Sequence, residues 1–160
     1  MSITIANVRD FLVPNPTGKG KRAVFPDEAH VWVGRAAPRW GLRASPLGNP
    51  ARLRRWSDLI VEIAGQFHWE AFYIKTRQEA VRAFATLWLR PISRMSERGA
   101  LLSGVPRREM MAELSRLPAL HAKHGRLVLV CCCETWDGEG EAPGLCHAEV
   151  VREELLRRDA

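Results

Sequence analysis

Ile3-Thr4-Ile5-Ala6-Asn7-Val8 alternates with a period of two, which predicts a strand. Pro14 to Arg22 is rich in Gly, Pro and Lys and predicts a loop. His30-Val31-Trp32-Val33 predicts a second strand, ended by Gly34. From Arg35 to Pro50 the prolines at 38, 46 and 50 and the glycines at 41 and 48 break any helical period, so a long irregular loop is expected. Loops of that length inside compact domains are usually functional or disordered. Ser57-Asp58 predicts the cap of a short helix with Ile60, Ile63, Ala64 and Phe67 as its apolar residues.

Thr76-Arg77-Gln78-Glu79 reads as a capping box. It opens an amphipathic helix with Ala80, Val81, Phe84, Leu87 and Trp88 on one face, stopped at Pro91. Residues 92–105 are expected to include a turn at Gly99 and Gly104. Pro106 starts a further helix that buries Met110, Met111, Leu114 and Leu117, and Pro118 is expected to end or kink it. Leu127-Val128-Leu129-Val130-Cys131-Cys132-Cys133 is a continuous apolar run, the pattern of a central strand covered on both faces. An acidic, Gly-rich loop from Glu134 to Gly144 follows. Cys146-His147 then opens a last helix with Ala148, Val151 and Leu155 inward.

Strands alternating with helices predict one α/β domain over residues 1–160. The expected form is a small layered domain with a partly parallel sheet flanked by helices, Rossmann-like in style. The 160 residues suit one domain with a sizeable core. No apolar run approaches the ~20 residues that span a bilayer, so no membrane partner is expected. Met1 to Val8 lacks the regions of a secretory leader, which makes the cytoplasm the expected compartment. The cysteines agree, because they are bunched at 131, 132, 133 and 146 and not spread to close loops.

Charge singles out the long loop. The net charge is +6, and Arg35, Arg39, Arg43, Arg52, Arg54 and Arg55 supply six positive charges between Gly34 and Trp56 with no acid among them. Such an excess attracts an anion, so the expected partner is a phosphate-bearing small molecule or a nucleic acid. The plain alternative is a solvated basic loop. Gly34 permits close backbone approach, Arg35 can fork onto a phosphate, and Ser45, Gly48 and Asn49 offer a hydroxyl, backbone N–H groups and an amide. A rigid Pro-Gly-Asn turn explains the same residues without a ligand. Trp40, between Arg39 and Arg43, is the candidate for stacking on a base.

The second candidate region is the Cys-His cluster. Cys131 and Cys133 share one face of a strand, whereas Cys132 points the other way and is expected to be a plain core residue. Cys146 at a helix start is expected to carry a lowered pKa.

Three readings of the cluster stay open. Cys146 with His147 suits nucleophilic or acid–base catalysis, with Cys131, Cys133 and Glu149 shaping the site. Cys131, Cys133, Cys146 and His147 form a zinc-type ligand set, although adjacent Cys146 and His147 are poorly spaced to reach one ion. Buried cysteines beside a capping histidine are the third.

Val31-Trp32-Val33-Gly34-Arg35, Ser45-Pro46-Leu47-Gly48-Asn49-Pro50, Leu129-Val130-Cys131-Cys132-Cys133 and Cys146-His147-Ala148-Glu149-Val150 occur in this order over residues 30–156. Together they resemble the domain-of-unknown-function family 4326. That family's pattern is a strand ending in Gly-Arg, a Ser-Pro-Leu-Gly-Asn-Pro loop, a Cys-aromatic-Cys strand end and a Cys-His-Gly-Asp helix start. Cys132 stands in place of the aromatic, Ala148-Glu149 in place of Gly-Asp, and Ala51 in place of Phe. Residues 57–75 look like an insertion. The strand-end cysteine before a Cys-His helix start is also similar to family 488.

The resemblance implies an α/β fold with a site and names no activity. The leading expectation is a small enzyme-like domain that binds a nucleotide, nucleoside or other phosphate-bearing ligand at the Arg/Asn loop beside the cysteines. A nucleic-acid-associated, phage-related module and a zinc-stabilised interaction domain are the alternatives.

Overall fold

A computed structural model of the chain describes residues 1–49, 56–63, 66–89, 101–102, 107–133 and 146–159. In chain order the elements are β1 (Ile3–Asn7), a 3-10 turn (Val8–Phe11), β2 (Leu12–Pro14), β3 (Lys21–Ala23), β4 (His30–Trp32) and a second 3-10 turn (Pro38–Trp40). Then come β5 (Trp56–Ile63), β6 (Gln66–Tyr73), α1 (Arg77–Ala83) continued by a π-turn (Phe84–Leu89), β7 (Leu101–Leu102), α2 (Arg107–His124), β8 (Leu127–Cys131) and α3 (His147–Asp159). The fold is mixed α/β, as the alternation of patterns predicts.

The apolar run at 127–131 is the centre of the sheet. Strand β8 pairs in parallel with β1, from Ile3 opposite Leu127 to Asn7 opposite Cys131. On its other side it pairs in parallel with β4, from His30 opposite Val128 to Trp32 opposite Val130. The three-stranded order is β1-β8-β4, so all three carboxyl ends lie at one edge. Leu127, Leu129, Val130 and Cys131 are fully buried.

Odd-numbered positions of β8 join a single hydrophobic cluster. It includes Val31 and Val33, Phe84 and Leu89 of the π-turn, Met110, Leu114 and Leu117 of α2, and Ala148, Val151 and Leu155 of α3. Burying each of the larger side chains is worth roughly 1.5–3 kcal/mol. On the opposite parity His30 meets Phe11 edge-on at 5.3 Å, and Phe11 meets Phe25 at 5.6 Å.

Several local expectations are corrected. The loop expected over Pro14–Arg22 is the tip of a hairpin, with β2 antiparallel to β3. Its reversal uses Gly18 and Gly20 at φ 78 and 77, where a side chain would be strained. The short helix expected after Ser57-Asp58 does not form. Instead β5 and β6 are antiparallel, from Trp56 opposite Tyr73 to Ile63 opposite Gln66, and β7 pairs with β5. Pro118 neither ends α2 nor stops its burial, and the helix runs on to His124. Three fully buried residues on its core side outweigh the one backbone hydrogen bond that proline removes. The chain leaves α2 through Gly125, in the left-handed region at φ 69, whose N–H donates to the His121 carbonyl at 2.7 Å. The side-chain placement of Leu87 and Trp88 is outside what is described, and Pro91, the turn expected within 92–105, Pro106 and the loop expected at Glu134–Gly144 lie outside the described residues.

The capping box is as expected. Thr76 Oγ1 accepts from the Glu79 N–H at 3.1 Å, while the Glu79 carboxylate accepts from the N–H groups of Lys75 and Thr76 at 2.8 and 3.1 Å. Those bonds, Lys75 first and Thr76 second, hold the Glu79 carboxyl below its ordinary 4.5. A depressed carboxyl pKa stabilises the fold above the unfolded value and loses that contribution as pH falls through the folded value. Glu79→Ala is therefore expected to melt at a lower temperature than the parent at neutral pH, with the gap narrowing below pH 4.5. Thermal unfolding followed by circular dichroism at stepped pH checks this, and a gap that widens in acid contradicts it.

Candidate functional site

The peptide groups that follow β4 are where the two regions of interest meet. Val33 N–H donates to the Val130 carbonyl at 2.9 Å, which continues the pairing with β8. The Val33 carbonyl accepts from His147 Nε2 at 2.7 Å. The next carbonyl, Gly34, accepts from the Ser45 N–H at 2.9 Å. The start of α3 and the Ser45–Asn49 loop are thus fastened to adjacent residues at the carboxyl edge of the sheet.

The loop spends most of its polar groups on itself. Ser45 is buried, and its Oγ accepts from the Leu47 N–H at 3.1 Å, closing the turn. Asn49 is buried and its Nδ2 donates to the Ala80 carbonyl of α1 at 3.1 Å. Gly48 lies so close to the strand end that an added Cβ would sit 2.8 Å from the Gly34 carbonyl oxygen. Arg35 is exposed, and its Nε donates to the Asn49 carbonyl at 2.5 Å. Trp40 is half-buried and carries the Arg39 guanidinium 4.1 Å above its ring. The face proposed for a base therefore already holds a cation. Pro50, Arg52, Arg54 and Arg55 lie outside the described residues.

Beneath this edge the cysteines gather. Cys131 ends β8, Cys133 follows two residues on, and Cys146 immediately precedes α3. All three are buried. Their sulfurs lie within 4.8 Å of one another. Cys131 Sγ is 3.2 Å from Cys146 Sγ, and Cys133 Sγ is 3.4 Å from His147 Nδ1. His147 Nε2 faces the Val33 carbonyl and so carries a proton there, while Nδ1 is turned to the Cys133 sulfur. Phe84 of the π-turn packs edge-on against the imidazole at 6.0 Å. Single π-turns inside helices often occur at functional sites.

Asn7, which sequence reasoning placed only as a strand residue, belongs to the same construction. It is buried at the end of β1, and its Nδ2 donates to the Cys133 carbonyl at 3.1 Å. The signal was an amide at the end of an apolar strand, where no core packing calls for one.

Charge within the cluster is unequal. Hydrogen bonds from Cys131 and then Cys146, opposed by burial and aided by His147, hold the Cys133 thiol well below its usual range. The bond to Cys133 comes first among the causes that push Cys131 up, followed by Cys146 and burial. At Cys146 the Cys131 bond lowers the value. The Cys133 bond, burial and the charge of Cys133 outweigh it, and the thiol is pushed up to about 12. The expectation of an acidified Cys146 is thus corrected, because the Cys133 neighbour and burial outweigh the helix start.

Cys132 is also corrected, since it is exposed where a core residue was expected. The parallel pairing stops at Cys131, so the following side chain turns to the surface. Burial and the charge of Cys133 raise its pKa, while the charges of Arg35 and Arg39 oppose them. Glu149 is half-buried in the first turn of α3, with its N–H on the Cys146 carbonyl at 3.1 Å.

An open cleft of about 500 Å³ runs separately along β4 and α2, lined by His30, Trp32, Arg43, Pro46, Glu113 and Arg116 among others. None of the cysteines lines it. Sequence reading gave no sign of this cleft, because its walls come from segments far apart in the chain.

The chain matches one family model across residues 18–157, a domain of unknown function (DUF4326). The chain belongs to that family. Neither the curated proteins nor the solved structures contain a match to the chain.

Gly48→Ala tests how tightly the edge is closed. The new Cβ would meet backbone and not a movable side-chain tip, so a loss of about 1–3 kcal/mol is expected from overpacking. Chemical denaturation of parent and variant measures it, and equal midpoints would show that the loop can move away from β4.

Proposed function

We propose that this domain is a thiolate-metal domain, with Cys131, Cys133 and Cys146 as ligands to a soft divalent ion of the zinc class. The observation that carries the reading is the mutual approach of the three sulfurs within 4.8 Å, delivered by two separate elements. Zinc and related ions take Cys sulfur at about 2.3 Å, and sulfur-rich donor sets select such ions over magnesium or calcium. Burying three thiols together with one held toward the thiolate form is costly unless something compensates the charge. A divalent cation supplies that compensation.

His147 supports this reading as an orienting residue more than as a ligand. Its Nε2 is engaged by Val33, and its ring lies beside Cys133 outside the three-sulfur group. Hydrogen-bonded neighbours of this kind fix the direction of metal ligands and tune them. Three protein ligands leave a fourth position for a water or for a donor atom of a bound molecule, the arrangement that catalytic zinc sites use.

A second reading has its own support. The positive charges of Arg35 and Arg39 both bear on the Cys132 thiol at the same edge, which suits an anionic ligand such as a phosphate-bearing metabolite. With Ser45 and Asn49 engaged within the fold, recognition of that ligand falls to the arginine side chains and exposed backbone. Loss of phosphate or nucleotide binding in an Arg39→Ala variant, with a steep salt dependence in the parent, is the measurement that favours it.

For the metal reading, elemental analysis of protein purified without chelators is expected to give about one equivalent of zinc per chain. Cobalt exchange is expected to produce intense thiolate charge-transfer absorption. Cys131→Ser, Cys133→Ser and Cys146→Ser should each abolish that absorption, and Cys132→Ser should keep it. Folded protein that takes up neither ion, or a Cys132→Ser variant that loses the signal as fully as the others, overturns the assignment.

A further inference from the structure

We propose that Cys131 and Cys146 also form a dithiol–disulfide couple, so that oxidation by a hydroperoxide competes with metal for the same sulfurs. The competition rests on the metal reading, whereas the couple itself rests on geometry alone. The two sulfurs are 3.2 Å apart. A disulfide bond is about 2.04 Å long, so closure needs only about 1.2 Å of approach shared between two side chains.

The pairing is selective among the four thiols. Cys131 lies at the end of β8 and Cys146 just before α3, so their side chains approach from different elements. Cys131 and Cys133 are two residues apart at one strand end and point in the same direction, which is poor geometry for a bridge. Cys133 is also turned toward the His147 ring. Cys132 is exposed and lies on the other parity. Bridging 131 to 146 would tie the central strand directly to the last helix.

The chemistry balances with a hydroperoxide as oxidant. One of the two sulfurs attacks the terminal peroxide oxygen and forms an S–O bond. The O–O bond breaks, and the remaining oxygen leaves with a proton as water or an alcohol. The second thiol then attacks that sulfenic sulfur, forming the S–S bond as the S–O bond breaks. Hydroxide leaves and takes the thiol proton to become water. The sulfur pair loses two electrons and the peroxide gains them. Cys131 and Cys146 are 0% and 2% exposed, which favours a small oxidant such as hydrogen peroxide over a bulky disulfide. Oxidation removes two of the three metal ligands, and a lone thiolate does not retain the ion.

The test uses the Cys132→Ser variant, so that the exposed thiol cannot link two chains. Zinc-loaded and metal-stripped samples are treated with hydrogen peroxide, then mapped as non-reduced peptides while released zinc is titrated. The expected product is one bridge joining Cys131 to Cys146, matched mole for mole by released zinc in the loaded sample. Dithiothreitol should reverse both changes. Sulfinic acid without a bridge, a bridge through Cys133, or zinc release with no bridge overturns the couple. The stripped sample separates the two ideas. A 131–146 bridge in protein that never takes up zinc keeps the couple and removes the metal, whereas zinc binding with no bridge does the reverse.

Discussion

Two consecutive carbonyls, those of Val33 and Gly34, are the constraint on which the edge of this domain depends. One receives the His147 imidazole and the other the Ser45 N–H. Val33 itself is held to Val130 of the central strand. The β4 end therefore serves as a common anchor for β8, α3 and the loop, and Asn49 extends the anchor to α1 through the Ala80 carbonyl. Backbone carbonyls buried at such a junction must find donors. A side chain of the wrong size or polarity at 34, 45, 48 or 147 leaves one of them unpaired.

That requirement recasts the loop after β4. Gly34, Ser45, Gly48 and Asn49 look like a ligand cradle when read as a string, because glycines, hydroxyls and amides are what cradles use. In the fold they are joinery. Ser45 closes its own turn, Gly48 makes room for a carbonyl, and Asn49 satisfies a helix. Of the loop's side chains, Arg35 and Arg39 face outward, and Arg43 lines the separate cleft beside α2. The chemistry concentrates one layer below, where three sulfurs and an imidazole share a small volume.

Much of the scaffold was legible in the chain. Strands at 3–7, 30–32 and 127–131 were readable because alternation and continuous apolar runs have few other solutions. The capping box at Thr76-Glu79 was readable because it is local. The short helix expected from Ser57 to Phe67 is instead part of two strands. Trp56, Val61, Phe67, Trp69, Phe72 and Tyr73 form two β-favouring runs around Ala64-Gly65, a hairpin signal that the Ser57-Asp58 cap pattern obscured. Pro118 misled for the opposite reason, since a local penalty was weighed without the burial that offsets it. The candidate site was half legible. Bunched cysteines announced themselves, but which thiol carries the charge depends on distances that spacing does not encode. The amide of Asn7 at an apolar strand end was a signal, but its partner, the Cys133 carbonyl 126 residues away, was not readable.

The uneven protonation of the cluster follows from its burial. Three thiols in a space closed to water cannot all ionise, because each further thiolate meets the charge of the first at short range. Cys133 is the thiol most favoured toward the charged form, since two sulfurs and an imidazole converge on it. Cys131 and Cys146, both pushed toward the protonated form, lie 3.2 Å apart beside it. This arrangement can be relieved in two ways. A divalent cation supplies the missing charge and displaces the remaining protons, or an oxidant removes those protons and two electrons together by joining the two neutral sulfurs. Both outcomes use the same three atoms, so occupation by one excludes the other. The carbonyl of Val33, by fixing His147, decides how close that competition runs.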